Sequence, residues 1–173
     1  MSKQKITKFI HSLTQDQLKD FVIEMYQHSA AVKSYVDHFL NPEVGQDMLD
    51  KYKKIIEKEF YPKNPERAGM KYSVAKKAIK EFAALQPDPI YLGELMLYLP
   101  ELASRLSHDY GDITEQYYIS AETNFNLALK YIAKQNLLEH FKPKAQLCIK
   151  YASRCGYGFD NSMEDIYYDF YED

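Results

Sequence analysis

The stretch Asp88-Pro89-Ile90-Tyr91-Leu92-Gly93-Glu94-Leu95-Met96-Leu97-Tyr98-Leu99-Pro100-Glu101-Leu102-Ala103-Ser104-Arg105-Leu106 decides the fold. Its apolar residues at 92, 95, 96, 99, 102, 103 and 106 recur at the three-and-four spacing of a helix face. Asp88 followed by Pro89 is a cap and then a proline at the first helical position, where the missing N–H costs nothing. The apolar stripe is wide, which predicts the central helix of an all-α domain. Pro100 predicts a kink or a division into two helices. Glu94, Pro100, Glu101 and Arg105 interrupt the run, so it does not read as a membrane span.

The same periodicity extends in both directions. Upstream, Ile6, Phe9, Ile10 and Leu13 form a first stripe, and Thr14-Gln15-Asp16-Gln17 is a capping-box signature before Leu18, Phe21, Val22 and Met25. Ser29 opens a segment with Val32, Tyr35, Val36 and Phe39, and Asn41-Pro42 opens a helix predicted to run to about Phe60. Pro62, Pro65 and Gly69 break the pattern and predict a loop at about 61–72, after which Ser73 is the expected cap of a helix carrying Val74, Ala78, Ile79, Phe82 and Leu85. Downstream, Gly111 closes the central helix, and Asp112 or Thr114 starts one with Tyr118, Ala121, Phe125, Ala128 and Ile132 inside. Phe141-Lys142-Pro143 is read as the next start, Gly156 as its left-handed stop, and Ser162 as the cap of a last short helix. No period-2 strand run bounded by hairpin turns is found. Eight or nine short-to-medium helices follow, either as an irregular bundle or as a curved stack of antiparallel helix pairs of HEAT type.

The 173 residues suit one domain, 1–173, whose acidic C-terminal helix, 162–173, could detach. Charge divides unevenly along it. Residues 1–80 hold 15 Lys and Arg against 10 Asp and Glu, whereas residues 81–173 hold 7 against 15. Such asymmetry points to partners or to self-association and says nothing about catalysis. The chain has 16 tyrosines and no tryptophan, a composition suited to shallow cores and interfaces. Lysines at 3, 5 and 8 lack the apolar run of a secretory signal behind them, which sets the expectation of a cytoplasmic protein with reduced thiols. Cys148 and Cys155, read as lying on one helix, are about 10 Å apart along its axis, too far for a disulfide, and are expected to be small buried apolar residues.

Motifs for chemistry are sparse. The five histidines show no metal-ligand spacing, and no Cys-x-x-Cys, His-Glu-x-x-His, P-loop or nucleophile-elbow pattern occurs, so neither cofactor nor metal is expected and no residue is assigned a catalytic role. His108-Asp109-Tyr110-Gly111-Asp112 reads as a polar helix end, and Gly156-Tyr157-Gly158-Phe159 as a turn pinned to the core by its two aromatics. Two surfaces remain as candidates. Lys63, Arg67, Lys71, Lys76, Lys77 and Lys80 make a basic segment fit for an anion or for nucleic-acid phosphate, although lysines opposite an apolar stripe are also what any solvated helix carries. The C-terminal run Met-Glu-Asp-Ile-Tyr-Tyr-Asp-Phe-Tyr-Glu-Asp, residues 163–173, offers Glu164, Asp165, Tyr167, Tyr168, Asp169 and Tyr171 for a protein contact, or for docking on the basic segment of its own chain.

Tyr72-Ser73-Val74-Ala75-Lys76-Lys77-Ala78-Ile79-Lys80-Glu81-Phe82, the preceding Phe60-Tyr61-Pro62-Lys63 and the later Gly156-Tyr157-Gly158-Phe159, in that order, resemble a family of small bacterial proteins known only as a domain of unknown function. The resemblance covers nearly the whole chain. It implies a cytoplasmic helical protein and brings no activity or catalytic residue with it. The functional expectation is a non-catalytic protein-interaction module with an unidentified protein partner. A nucleic-acid-binding protein using 63–80, and an enzyme whose site carries no recognised motif, stand beside it.

Overall fold

The computed structural model describes residues 3–30, 32–33, 36, 42–64 and 68–171. Among them are eight helices and no strand: α1 (Lys3–Ser12), α2 (Gln15–His28), α3 (Pro42–Phe60), α4 (Tyr72–Ala84), α5 (Pro89–Tyr110), α6 (Glu115–Lys134), α7 (Leu138–Ala152) and α8 (Phe159–Tyr171). The chain divides into two units, Met1–Val44 and Gly45–Asp173. No helix among the described residues is long and apolar enough to cross a membrane.

In the first unit Thr14 builds the expected capping box. Its hydroxyl accepts from the Gln17 backbone N–H, and the Gln17 side chain accepts from the Thr14 N–H. Phe9 meets Phe21 edge to face at 5.5 Å. Ser29 Oγ accepts from Val32 N–H and so opens the next segment, of which Tyr35, Phe39 and the Asn41 cap lie outside the described residues. No residue of α2 is buried, and Ile6, Phe9, Ile10, Val22 and Ile23 all stand exposed.

The second unit is a helix bundle. As its stripe predicts, α5 is central: it packs against α4, α6 and α7, while α8 closes over α6 and α7. Its core includes Leu95, Leu99, Leu102 and Leu106 of α5 with Phe82, Tyr118, Phe125, Phe141 and Phe159 from the helices around it. The Asp88 carboxylate accepts from Ile90 N–H, Gly111 ends α5 at φ +95°, and Thr114 caps α6. At Gly93 the neighbours come so close that a Cβ would stand 2.9 Å from Phe141 Cε2.

Several expected boundaries move. Pro100 does not divide α5, which runs from Pro89 to Tyr110 as one helix. The proline removes one main-chain bond inside the helix, but it is buried between Leu99 and Leu102, and the core contacts on both sides carry the helix through. Helix α4 begins at Tyr72 with Lys71 as N-cap and no side-chain cap, so Ser73 lies within it. Tyr72 is anchored there by its ring against Phe60 and Tyr117, at 5.5 and 5.3 Å, and by its hydroxyl, which donates to the Tyr117 carbonyl. Helix α7 starts at Leu138, with Pro143 inside it, because Asn136 takes a left-handed conformation (φ 58°) that ends α6 and turns the chain directly into the next helix. It ends at Ala152, so Cys155 lies beyond it; the left-handed residues that follow are Arg154, Tyr157 and Gly158, and not Gly156. Helix α8 begins at Phe159, so Ser162 is inside it and donates its backbone N–H to the Gly158 carbonyl. Both cysteines are free and buried.

Candidate functional site

The densest polar arrangement joins two segments that are far apart in sequence. Asp112, just past the end of α5, accepts at Oδ1 from the Gly156 backbone N–H at 2.7 Å and from the Tyr118 hydroxyl at 2.8 Å. Tyr118 Oη also lies 2.6 Å from Ser107 Oγ. A carboxylate can only accept, so the Tyr118 proton goes to Asp112 and the Ser107 hydroxyl donates to Tyr118. The Gly156 N–H first and the Tyr118 hydroxyl second hold the Asp112 carboxyl below the ordinary value. The Gly156-Tyr157-Gly158-Phe159 turn is thereby tied to the bundle: Phe159 and Tyr157 lie 4.6 and 5.7 Å from the Tyr118 ring. A Cβ on Gly156 would fall 2.6 Å from Asp112 Oδ2, which accounts for glycine there.

Two cavities open on either side of Gly111-Asp112. One, of about 270 Å³, is mainly apolar and is lined by Phe60, Tyr61, Met70, Leu106, Tyr110 and Ile113. The other, of about 400 Å³, lies between Ser107, His108, Arg154 and Cys155. Near the first, Arg105 sits over the Tyr61 ring at 5.2 Å and pairs with Asp109, which also accepts from the Tyr61 hydroxyl at 2.9 Å. Their sizes suit a small ligand at most. No group of three or more His, Cys, Asp or Glu side chains that could hold a metal occurs among the described residues.

A second charged group ties α3, α5 and α7 together. Glu94 Oε1 lies 2.6 Å from both Lys53 Nζ and Lys144 Nζ, and Lys144 Nζ also lies 2.9 Å from Glu101 Oε2. Tyr98 presents its ring to both lysines, at 5.1 and 5.5 Å. Burial pushes the Glu94 carboxyl up, but the two lysines outweigh it and the net shift is downward. Burial likewise lowers the Lys144 ammonium, and Glu101 and Glu94 reverse that to a net rise. Two lysines facing two carboxylates are self-neutralising, which suits a clamp between helices rather than a ligand site.

Of the basic segment, Lys63, Lys71, Lys76, Lys77 and Lys80 are exposed, and Arg67 lies outside the described residues. Lys77 has Glu81 at 3.9 Å, whereas Lys76 and Lys80 have no ion-pair partner among the described residues. These two line a groove of about 220 Å³ with Ile79, Met96, Asn124 and Leu127. Of the C-terminal residues, Glu164, Asp165, Tyr168 and Asp169 are exposed. Tyr167 and Tyr171 are not: they stack on each other at 4.5 Å, and the Tyr171 hydroxyl donates to the Leu138 carbonyl. Phe159, Met163, Tyr167 and Tyr171 recur every four residues and give α8 a buried stripe, so the helix docks on α6 and α7 of its own chain and not on the basic segment. Sequence reading missed both the Asp112–Gly156 tie and the Lys53–Glu94–Lys144–Glu101 group. For the latter a signal was present, two acids within the most apolar helix.

No curated protein and no solved structure matches the chain. A model of a family of unknown function, DUF6155, matches residues 1–171. All eight helices among the described residues fall within that match, and the chain belongs to this family of unknown function.

Proposed function

We propose that the protein is a non-catalytic protein-interaction module whose binding element is the helical pair α1–α2. The observation that carries this reading is the row of large apolar side chains left open on these two helices: Ile6, Phe9, Ile10, Val22 and Ile23. Soluble surfaces rarely leave so many apolar residues uncovered on two neighbouring helices without a partner for them. The exposed Lys5 and Lys8 alternate with the α1 apolar residues, so the favoured partner presents an apolar groove with an acidic rim. The test places a photo-crosslinking residue at Phe9 in the full chain and, as a control, at the exposed Lys150 of α7. Crosslinks to one other protein from position 9 alone, lost in Ile6→Asp/Ile10→Asp, are expected. Crosslinks only within the chain, or the same products from both positions, refute the reading.

A further inference from the structure

We propose that the outward face formed by α4, α6 and α8 is a self-complementary surface on which a second copy of this chain docks, about a two-fold axis running along α6. Helix α6 buries Tyr117, Tyr118, Ala121, Asn124, Phe125, Ala128, Leu129 and Ile132, and turns Ile119, Thr123 and Leu127 outward. Ile119 is 45% and Leu127 51% exposed, an apolar strip with Lys130 at its C-terminal end. Helix α4 flanks one side of the strip, where Lys76, Ile79 and Lys80 share a groove with Asn124 and Leu127. Helix α8 flanks the other side, where Phe159 meets Tyr118 and Ser162 reaches the Glu122 carboxyl. On α8, Asp165 and Asp169 follow Ser162 by three and seven residues, so they share its side and stand exposed along the edge nearest α6.

Across this face the order is therefore lysines, apolar strip, aspartates. Rotating a copy by half a turn about an axis along the strip lays each lysine edge on the other copy's aspartate edge, and lays the two strips together. A half-turn about the perpendicular in-plane axis would set lysines on lysines and aspartates on aspartates. The charges of the two edges thus select one closed, isologous dimer, in which the two Lys130 side chains at the end of the strip face each other, and its exposed ionic contacts make it sensitive to salt. This surface belongs to α4–α8, so its failure would leave the α1–α2 reading standing.

The test measures the mass of the full chain by sedimentation equilibrium at low and high salt for the wild type, Lys76→Glu/Lys80→Glu and Asp165→Lys/Asp169→Lys. All four positions are exposed, and a thermal melt of each variant verifies that it is folded. The wild type is expected to be a dimer at low salt that dissociates at high salt. Each variant alone faces its own charge across the axis twice and is expected to be monomeric. Mixed in equal amounts, the two variants present opposite charges at both edges, and a heterodimer is expected. A monomeric wild type at every concentration, variants that dimerise as the wild type does, a mixture that stays monomeric, or growth beyond two copies would each overturn the proposal. So would a monomer that binds a short RNA or DNA through Lys76 and Lys80, which would assign the lysine edge to nucleic acid.

Discussion

Glu94→Gln tests the physics of the bundle most directly, because it keeps the side chain's shape and removes the one negative charge that two lysines share at 2.6 Å. Removing one partner of a fully buried ion pair costs about 3–5 kcal/mol, since the remaining charge is left uncompensated. An exposed pair is worth about 0–1 kcal/mol. The Glu94 side chain is 23% and that of Lys144 19% exposed, and Glu101 still serves Lys144 in the variant, so the cost falls between these limits, at about 2 kcal/mol. For a chain of this size that lowers Tm by roughly 4–8 °C. The pH dependence has a definite sign. The lysines depress the folded-state carboxyl, so its contribution is complete above the unfolded-state value and disappears as pH falls through the folded one. The gap between wild type and variant should therefore be full at neutral pH and close in acid. Urea denaturation followed by far-UV circular dichroism measures it, since the chain has no tryptophan to report by fluorescence. A gap below about 0.5 kcal/mol at neutral pH, or one that persists unchanged below the carboxylate range, would refute the assignment of this group as a stabilising clamp.

Three further substitutions probe the packing and the turn. Gly93→Ala gains helix propensity of about 1 kcal/mol but forces a Cβ to 2.9 Å from a buried Phe141 ring. Net destabilisation of about 1 kcal/mol or more is expected in urea, and Phe141→Leu in the same chain should recover part of it. Gly156→Ala sets a methyl against Asp112 Oδ2 and should break the Gly156–Asp112 bond, costing about 1–2 kcal/mol; in the Asp112→Ala background the same change should cost much less, a non-additivity that a double-mutant cycle reads. Tyr171→Phe loses the bond to the Leu138 carbonyl and should cost about 1 kcal/mol, whereas Tyr168→Phe on the exposed side of the same helix should stay within about 0.5 kcal/mol. Equal effects at 168 and 171 would contradict the docked position of α8.

On α5 and α6 the inward faces were legible because burial follows periodicity: Leu95, Leu99, Leu102 and Leu106 on α5 and Tyr118, Phe125 and Ile132 on α6 are buried where their spacing puts them, whereas the stripe residues Ile6, Phe9, Ile10 and Val22 of α1 and α2 are exposed and Leu97 is buried on α5 outside its stripe. The boundaries were less so. A serine before an apolar run is a local cap signal, yet α4 and α8 start before Ser73 and Ser162, at Tyr72 and Phe159. Both residues are aromatics held by rings from other helices, and tertiary contact of that kind outweighs the fraction of a kilocalorie to two that a side-chain cap supplies. The Asp112–Gly156 tie failed to show for a related reason. Each segment stood out by itself, one as a polar helix end and one as a glycine turn, but the bond spans 44 residues and no local pattern encodes it. Glu94 and Glu101 were visible only as interruptions of an apolar run, when their partners Lys53 and Lys144 lie on other helices.

The charge asymmetry between the two halves of the chain resolves into two physically different parts. Lys53, from the basic half, is spent inside the bundle on Glu94, alongside Lys144 and Glu101, where screening by salt is weak. Lys76 and Lys80 remain without ion-pair partners among the described residues on one edge of the α4–α6–α8 face, and Asp165 and Asp169 stand exposed on the other. Because α6 separates these edges, they cannot neutralise each other within one molecule. Added salt should therefore leave the clamp, and with it the thermal stability of the bundle, nearly unchanged while it weakens whatever the open edges bind. A single salt series read by both melting and mass separates the internal part of the asymmetry from the part available to a second molecule. Parallel losses of stability and association would mean that the clamp is far more hydrated than its burial implies.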